Sequence, residues 1–435
     1  MLVLVANNLA YLFTFLFFMY KDKELTIRVL ILLLFTLFAT ASTCIVWNGI
    51  FFEQFGYYNI ERMSYIPYVC NYALILFFIQ SILKKKRFGM GADLANIKSK
   101  YVTYFEIFII LISLIQILIQ YDIYLMISHL DLNDIYEDSH FGDLEIPFGN
   151  SIERILYYRS KNIIEISTPF IYLIEFSKLA YGKAKKFPII IIALIFLPAI
   201  IGCFIMANRG GVLFNTASIA FFVVLFWNKL DHKTLNIIRI LILVVGVFVV
   251  FYVTLITLSR SNNDTNKAIF DAMRYFGEGF PNLGLRFWDH YCVHPYGMRH
   301  FPSIYGIFKP LPQIESGLGN YHQFYIQYTH LPVLNFKTFY GDLYIEFGYI
   351  IPFFIVLLYV LFIKSILNKL KGSIYYLIIY YFAYMTMIWA LFGSKITDEY
   401  IYNIIVAYLI IIVVRKLMKK TNKSKQRIYL IYNQN

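Results

Sequence analysis

Charge is scarce in this sequence. Only 15% of its 435 residues are Asp, Glu, Lys or Arg, where a soluble domain carries about a quarter. With 59% hydrophobic residues and a mean hydropathy of +0.62, the chain is expected to be dissolved mostly in lipid. Cysteine is scarce too: Cys44, Cys70, Cys203 and Cys292, the first three in or at the edge of apolar runs. That excludes a disulfide framework and a paired CxxC metal site. The opening "MLVLVANNLAYLFTFLFFMY" has no basic n-region and no small-residue cleavage site, so it reads as a retained first span. There is no internal repeat and no low-complexity linker. The net charge of +13 does not gather on a soluble domain. It lies between apolar runs, where basic residues set membrane orientation, and no nucleic-acid partner is expected.

What the chain does have is long apolar runs. About eleven reach the span length of roughly 20 residues, near 2–19, 29–47, 65–83, 102–122, 162–181, 187–206, 211–227, 240–258, 343–363, 374–393 and 398–414. The fifth is the least apolar, carrying Glu165, Pro169 and Glu175. The basic clusters at 21–28, 84–87, 183–186, 228–233, 364–371 and 415–427 all fall on one side if the N-terminus is outside. By the positive-inside rule that side is the cytoplasm, and the C-terminus is there too. These cytoplasmic lysines orient the protein and touch anionic lipid. The expected architecture is all-α and polytopic. Residues 1–258 carry about eight spans, 259–341 form one large extracytoplasmic loop, 342–414 carry about three spans, and 415–435 form a basic cytoplasmic tail.

An acidic loop follows span four on the outer side, and the long segment 259–341 lies there as well. This segment is rich in aromatic residues, and "AIFDAMRYF" sets Ile269, Phe270, Met273 and Phe276 at helical spacing. Short helices on the outer face, partly roofing a cavity, are expected. Polar chemistry concentrates in "LRFWDHYCVHPYGMRH" (285–300). Arg260, Arg274, Arg286 and Arg299 lie in this segment, and Arg209 sits in the turn "ANRGG" between spans six and seven. The positive-inside bias works against arginine on this face, so a negative partner is expected. Guanidinium offers a planar fork of donors that matches phosphate oxygens. The alternative is pairing with outer-leaflet phosphates or with the acidic loop.

Three local features resemble the bacterial O-antigen and capsule repeat-unit polymerases, the Wzy-type family, related to the O-antigen ligases. "NRGG" (208–211) opens a span. "GLRFW" (284–288), followed by "YGMRHF" (296–301), resembles the family's outer-loop signature, with ten residues between Arg286 and Gly297. "KTFYGDLYIEFGYIIP" (337–352) resembles the entry to the span after the large loop. The ligases share a His, then Asn, Ser or Gln, then nine residues, then Gly. Counted back from Gly348, those positions hold Lys337 and Thr338, so the histidine is absent and the polymerase likeness is the stronger.

The resemblance implies a GT-C-like membrane glycosyltransferase in the bacterial cytoplasmic membrane. It implies metal-independent, inverting transfer on the outer face, with no cofactor. Donor and acceptor would both be glycans on undecaprenyl diphosphate, and a chain-length regulator would be a further partner. Arg209 and Arg286, then Arg260, Arg274 and Arg299, would bind the diphosphate, stabilising charge as it develops on the leaving group. An acceptor hydroxyl needs a proton acceptor. Asp289, His290, His294, Asp342 and Glu346 are the candidates, Asp342 and Glu346 being four apart on one helical face. His300 and His322 are weaker ones. A zinc site in "HYCVH" is disfavoured because Tyr291 stands where the metalloprotease signature needs Glu, and Pro295 disfavours a helix there. A lipid-linked glycan transporter would also present arginines to a diphosphate, but such carriers often show repeats and midplane sites.

Overall fold

The structure, a computed structural model, describes residues 1–47, 63–83, 100–127, 151–181, 186–205, 209–260, 273–288, 292–312, 318–331 and 337–432. Among these residues every regular element is helical. The first eight helices are α1 (Leu2–Asp22), α2 (Ile27–Trp47), α3 (Ile66–Ser81), α4 (Lys100–Ile127), α5 (Ser151–Tyr181), α6 (Lys186–Ile205), α7 (Arg209–Phe226) and α8 (His232–Arg260). Short elements follow: α9 (Gly279–Asn282), a π-turn at Leu283–Phe287, α10 (Pro302–Phe308) and α11 (Leu318–Thr329). The chain ends with α12 (Phe339–Phe347), α13 (Ile351–Lys369), α14 (Tyr376–Trp389) and α15 (Asp398–Tyr432).

The apolar runs coincide largely with helix. Five helical stretches among the described residues are long and apolar enough to cross a membrane: Leu2–Asp22, Ile27–Trp47, Lys100–Met126, Gly211–Lys229 and Ile351–Lys369. Ile66–Ser81, Phe187–Cys203 and Tyr376–Trp389 are shorter apolar helices. The outer helices have two apolar faces. α13 buries Val356, Tyr359, Val360 and Ile363 while exposing Phe354, Leu358 and Leu361. Lipid tails account for such an exposed apolar stripe where water does not. The protein is therefore membrane-embedded. α14, "YLIIYYFAYMTMIW", is apolar around its whole circumference, and every residue from Tyr376 to Ile388 is buried. It is the central post, touching α2, α5, α7, α13 and α15, as a helix with no polar stripe must.

Two expectations are revised, and a third element is longer than its apolar run. The span expected at 343–363 is broken. α12 ends at Gly348, whose φ of 76° is a backbone region L-residues avoid, and α13 restarts with Pro352 in its first turn. α12 is thus separate from the spanning helix α13. The tail expected from 415 is helical through Tyr432, continuous with α15. Segment 259–341 is not simply a roof: residues from Glu278 to Trp288 are almost wholly buried in the core. Glycine permits this insertion. A Cβ on Gly277 would stand 2.7 Å from the Ala41 backbone, and one on Gly284 would stand 2.5 Å from the Tyr68 hydroxyl. Ser42 Oγ donates to Gly277 O at 2.6 Å and Tyr68 OH to Phe280 O at 2.9 Å. These bonds fasten the segment to α2 and α3.

Candidate functional site

The two α12 carboxylates organise the site. Thr338 caps α12, its Oγ1 accepting the Gly341 N–H at 3.1 Å. Asp342 stands in the first turn, where a negative charge suits the helix dipole. Glu346 follows one turn later on the same face. Both are buried.

Asp342 pairs with Arg299 Nη2 and lies 3.3 Å from Lys337 Nζ and 3.5 Å from His300 Nε2. Its Oδ2 also accepts the Ser394 N–H at 2.8 Å. Glu346 Oε1 accepts the backbone N–H groups of Gly297 at 3.0 Å and Arg299 at 2.9 Å. Its Oε2 accepts no hydrogen bond and faces Arg299 Nε at 3.5 Å and His300 Nδ1 at 3.7 Å. The turn that delivers these N–H groups holds Tyr296 at φ 51° and Gly297 at φ 102°. Gly297 therefore earns its place by conformation: it aims its amide at a buried carboxylate.

A second ionic group adjoins the first. Glu278 accepts from Arg274 Nε at 2.7 Å and from Asn282 Nδ2 at 3.0 Å, and lies 3.8 Å from Arg286 Nη1. Arg286 projects from a five-residue π-turn closed by Trp288 N–H on Leu283 O at 3.1 Å. Such turns recur at functional sites because they re-aim a side chain. Only backbone links the two groups: a Cβ placed on Gly279, next to Glu278, would lie 3.9 Å from Lys337 O. The first group sets Arg299 and Lys337 against Asp342 and Glu346, and the second sets Arg274 and Arg286 against Glu278.

Burial, helped by neighbouring Arg299, pulls the Lys337 amine down to about 8 despite the opposing pull of Asp342. Burial alone would raise the Asp342 carboxyl, but Arg299, Lys337 and His300 together hold it well below the usual range. Asp342 is consequently a fixed anion and a poor proton acceptor. His294 is better arranged for that task. Its Nδ1 lies 2.9 Å from Ile345 O, a carbonyl that can only accept, so Nδ1 carries a proton and, in the neutral ring, Nε2 holds the lone pair. Gly348 packs against that Nε2, 3.2 Å from where a Cβ would stand.

Of the residues expected from sequence, Arg299, Asp342 and Glu346 come together, with His294 one hydrogen bond away on Ile345 O, while Arg274 and Arg286 meet at Glu278. Arg209 opens α7 and Arg260 closes α8, and their side chains lie outside the described residues. The early turns of α7 approach the site: Phe214 stacks on Trp389 and meets Phe392, whose carbonyl accepts the Lys337 N–H at 3.0 Å. Asp289 and His290 also lie outside the described residues, as does the His322 side chain. The described arginines pair with carboxylates of their own neighbourhood. Lys337 and Glu278 were missed. The signals were present: Arg274 and Glu278 are spaced i,i+4, and Lys337 is a charge at the threshold of an apolar run.

Compared with protein-family models, curated proteins and solved structures, the chain matches none.

Proposed function

We propose that the protein is a GT-C-like integral membrane glycosyltransferase of about eleven spans, joining lipid-diphosphate-linked oligosaccharide repeat units into O-antigen or capsular polysaccharide. Its N-terminus would lie outside the bacterial cytoplasmic membrane and its C-terminus inside. The observation that carries this reading is two ionic groups, Arg299 and Lys337 with Asp342 and Glu346, and Arg274 and Arg286 with Glu278, set with His294 in an apolar helical bundle.

In the proposed reaction an acceptor sugar hydroxyl attacks the anomeric carbon of the donor glycan. The new glycosidic C–O bond forms as the bond to the diphosphate breaks. Undecaprenyl diphosphate leaves with the electron pair, and the hydroxyl proton passes to a base. His294 Nε2 is the acceptor the geometry favours. Arg274, Arg286, Arg299 and Lys337, with Arg209 and Arg260 at their helix ends, would meet the charge that grows on the diphosphate. Their carboxylate partners fix the guanidinium groups before substrate arrives, and prepositioned charge in a partly dry site stabilises a transition state better than water does. No metal is required by this arrangement.

A lipid-glycan carrier would need a charged site near the bilayer midplane. The ionic group in the apolar helices α4 and α5, Lys178 with Glu106 at 2.6 Å and Glu175 at 3.1 Å, lies only about 9 Å or less in from Lys100 and Tyr181 at 1.5 Å per residue. That position suits a structural pair better than a transport site.

Deletion of the gene, followed by electrophoresis of the host's surface glycans, tests the proposal. Polymerase loss leaves single repeat units on the lipid anchor. Flippase or ligase loss leaves no attached glycan, and a normal ladder rejects all three activities.

A further inference from the structure

A second site lies where Lys21 ends α1, Arg28 begins α2, Gln80 and Ser81 end α3, and Lys364 nears the end of α13. These residues, with Phe17, Phe18 and Phe77, line a pocket of about 600 Å³, within the size range of small-molecule sites. The cations are of two kinds. Arg28 is buried and committed: its Nε donates to Asp22 Oδ2 at 2.7 Å, a second nitrogen pairs with Oδ1, and its guanidinium lies 4.4 Å from the centre of the Phe18 ring. Thr26 Oγ1 also donates to Asp22 at 2.7 Å, so the α1–α2 turn is locked around this pair. Lys21 and Lys364 are different. Among the described residues no carboxylate lies within ion-pair distance of either; Lys21 makes only a contact 5.6 Å from the centre of the Phe17 ring. The pocket thus carries two ammonium groups with no carboxylate partner among the described residues, beside hydroxyl and amide donors, with exposed Phe17 and Phe77 rings leading along the apolar helix surface.

A ligand matching these walls has a compact anionic head and an apolar tail. We propose that this pocket binds the phosphate headgroup of an acidic membrane phospholipid, its acyl chains lying along Phe17 and Phe77. Basic pockets between membrane helices are suited to acidic headgroups, and a lysine near the surface contributes about 1 kcal/mol, or about fivefold in affinity. The inference rests on the membrane-embedded fold alone and is independent of the glycosyl-transfer reading.

The test uses the full-length protein in detergent and native mass spectrometry with added phosphatidylglycerol or phosphatidylcholine. The wild type should retain phosphatidylglycerol over phosphatidylcholine. Lys21→Gln combined with Lys364→Gln should weaken that retention by roughly 25-fold, on the same fivefold per lysine. Lys369→Gln combined with Lys371→Gln, at the same end but outside the pocket, should leave it unchanged. Equal retention of both lipids overturns the proposal, as does an equal loss in the Lys369/Lys371 control. Displacement of bound lipid by millimolar inorganic phosphate would identify a free-anion site and overturn the lipid assignment. If the Lys21/Lys364 variant does not purify as a single species, lipid preference and phosphate competition on the wild type still decide.

Discussion

Replacing Arg299 with alanine is the sharpest structural perturbation available. Arg299 faces both α12 carboxylates, pairing with Asp342 and lying 3.5 Å from Glu346. Removing one partner of a buried pair costs about 3–5 kcal/mol because the other charge is left uncompensated. The remaining partners decide where in that range the loss falls. Asp342 keeps Lys337 at 3.3 Å and the Ser394 amide at 2.8 Å. Glu346 keeps the two amides at 3.0 and 2.9 Å. A loss near the lower end, about 3 kcal/mol, is expected. Reversible SDS titration in mixed micelles at pH 7 measures it. Adding Glu346→Gln to Arg299→Ala should recover part of the loss, since one stranded charge is gone, giving a coupling of about 0.5–3 kcal/mol. A loss below about 1 kcal/mol, the scale of an exposed ion pair, would refute the claim that Arg299 ties α12 to the 294–300 turn.

Other outcomes follow from single contacts. Gly348→Ala forces a side chain onto a φ of 76° and against His294 Nε2, whereas Gly372→Ala meets a φ of 83° with nothing within 4 Å; both should lose about 1–3 kcal/mol from backbone strain, but only the former should disturb His294, seen as a changed imidazole NMR signal. Gly284→Ala places a Cβ 2.5 Å from the Tyr68 hydroxyl and should cost about 1–3 kcal/mol by overpacking; combined with Tyr68→Phe it should lose less than the sum of the two single changes, and strict additivity would contradict the contact. The Lys337 amine sits at about 8 in the folded protein against an ordinary 10.5. Between those values the unfolded chain holds more protons, so this group makes stability rise with pH from about 8 toward 10.5, and below 8 its buried charge is a cost. Lys337→Met should remove that rise from unfolding profiles, and identical profiles would reject the assignment.

Much of the helical layout is legible from hydrophobic runs, because a lipid solvent demands long apolar helices and leaves few alternatives. The break between α12 and α13 was harder to read. Gly348 and Pro352 were visible, yet the apolar run continues across them, and only the turn geometry separates the carboxylate-bearing helix from the spanning one. Burial of 278–288 was illegible for a related reason. Aromatic residues suit a membrane interface and a protein core equally, and the deciding contacts, Gly277 on α2 and Gly284 on Tyr68, are distant in sequence. At the site, the sequence offered the arginines of 259–341 a substrate diphosphate, with lipid phosphate or the acidic loop as the alternative. The carboxylates that pair with Arg274 and Arg299 come instead from Glu278, one helical turn away, and from α12. Lys337 went unweighed because the residue type expected at its position was histidine.

Reconstitution tests the central claim most directly. Purified protein in liposomes, supplied with undecaprenyl-diphosphate-linked repeat units, should extend them into chains of several units and release undecaprenyl diphosphate in step with each added unit. Arg286→Ala protein, folded and inserted, should do neither. Liposomes in which the wild type releases no carrier, or in which Arg286→Ala polymerises as well as the wild type, would contradict the account.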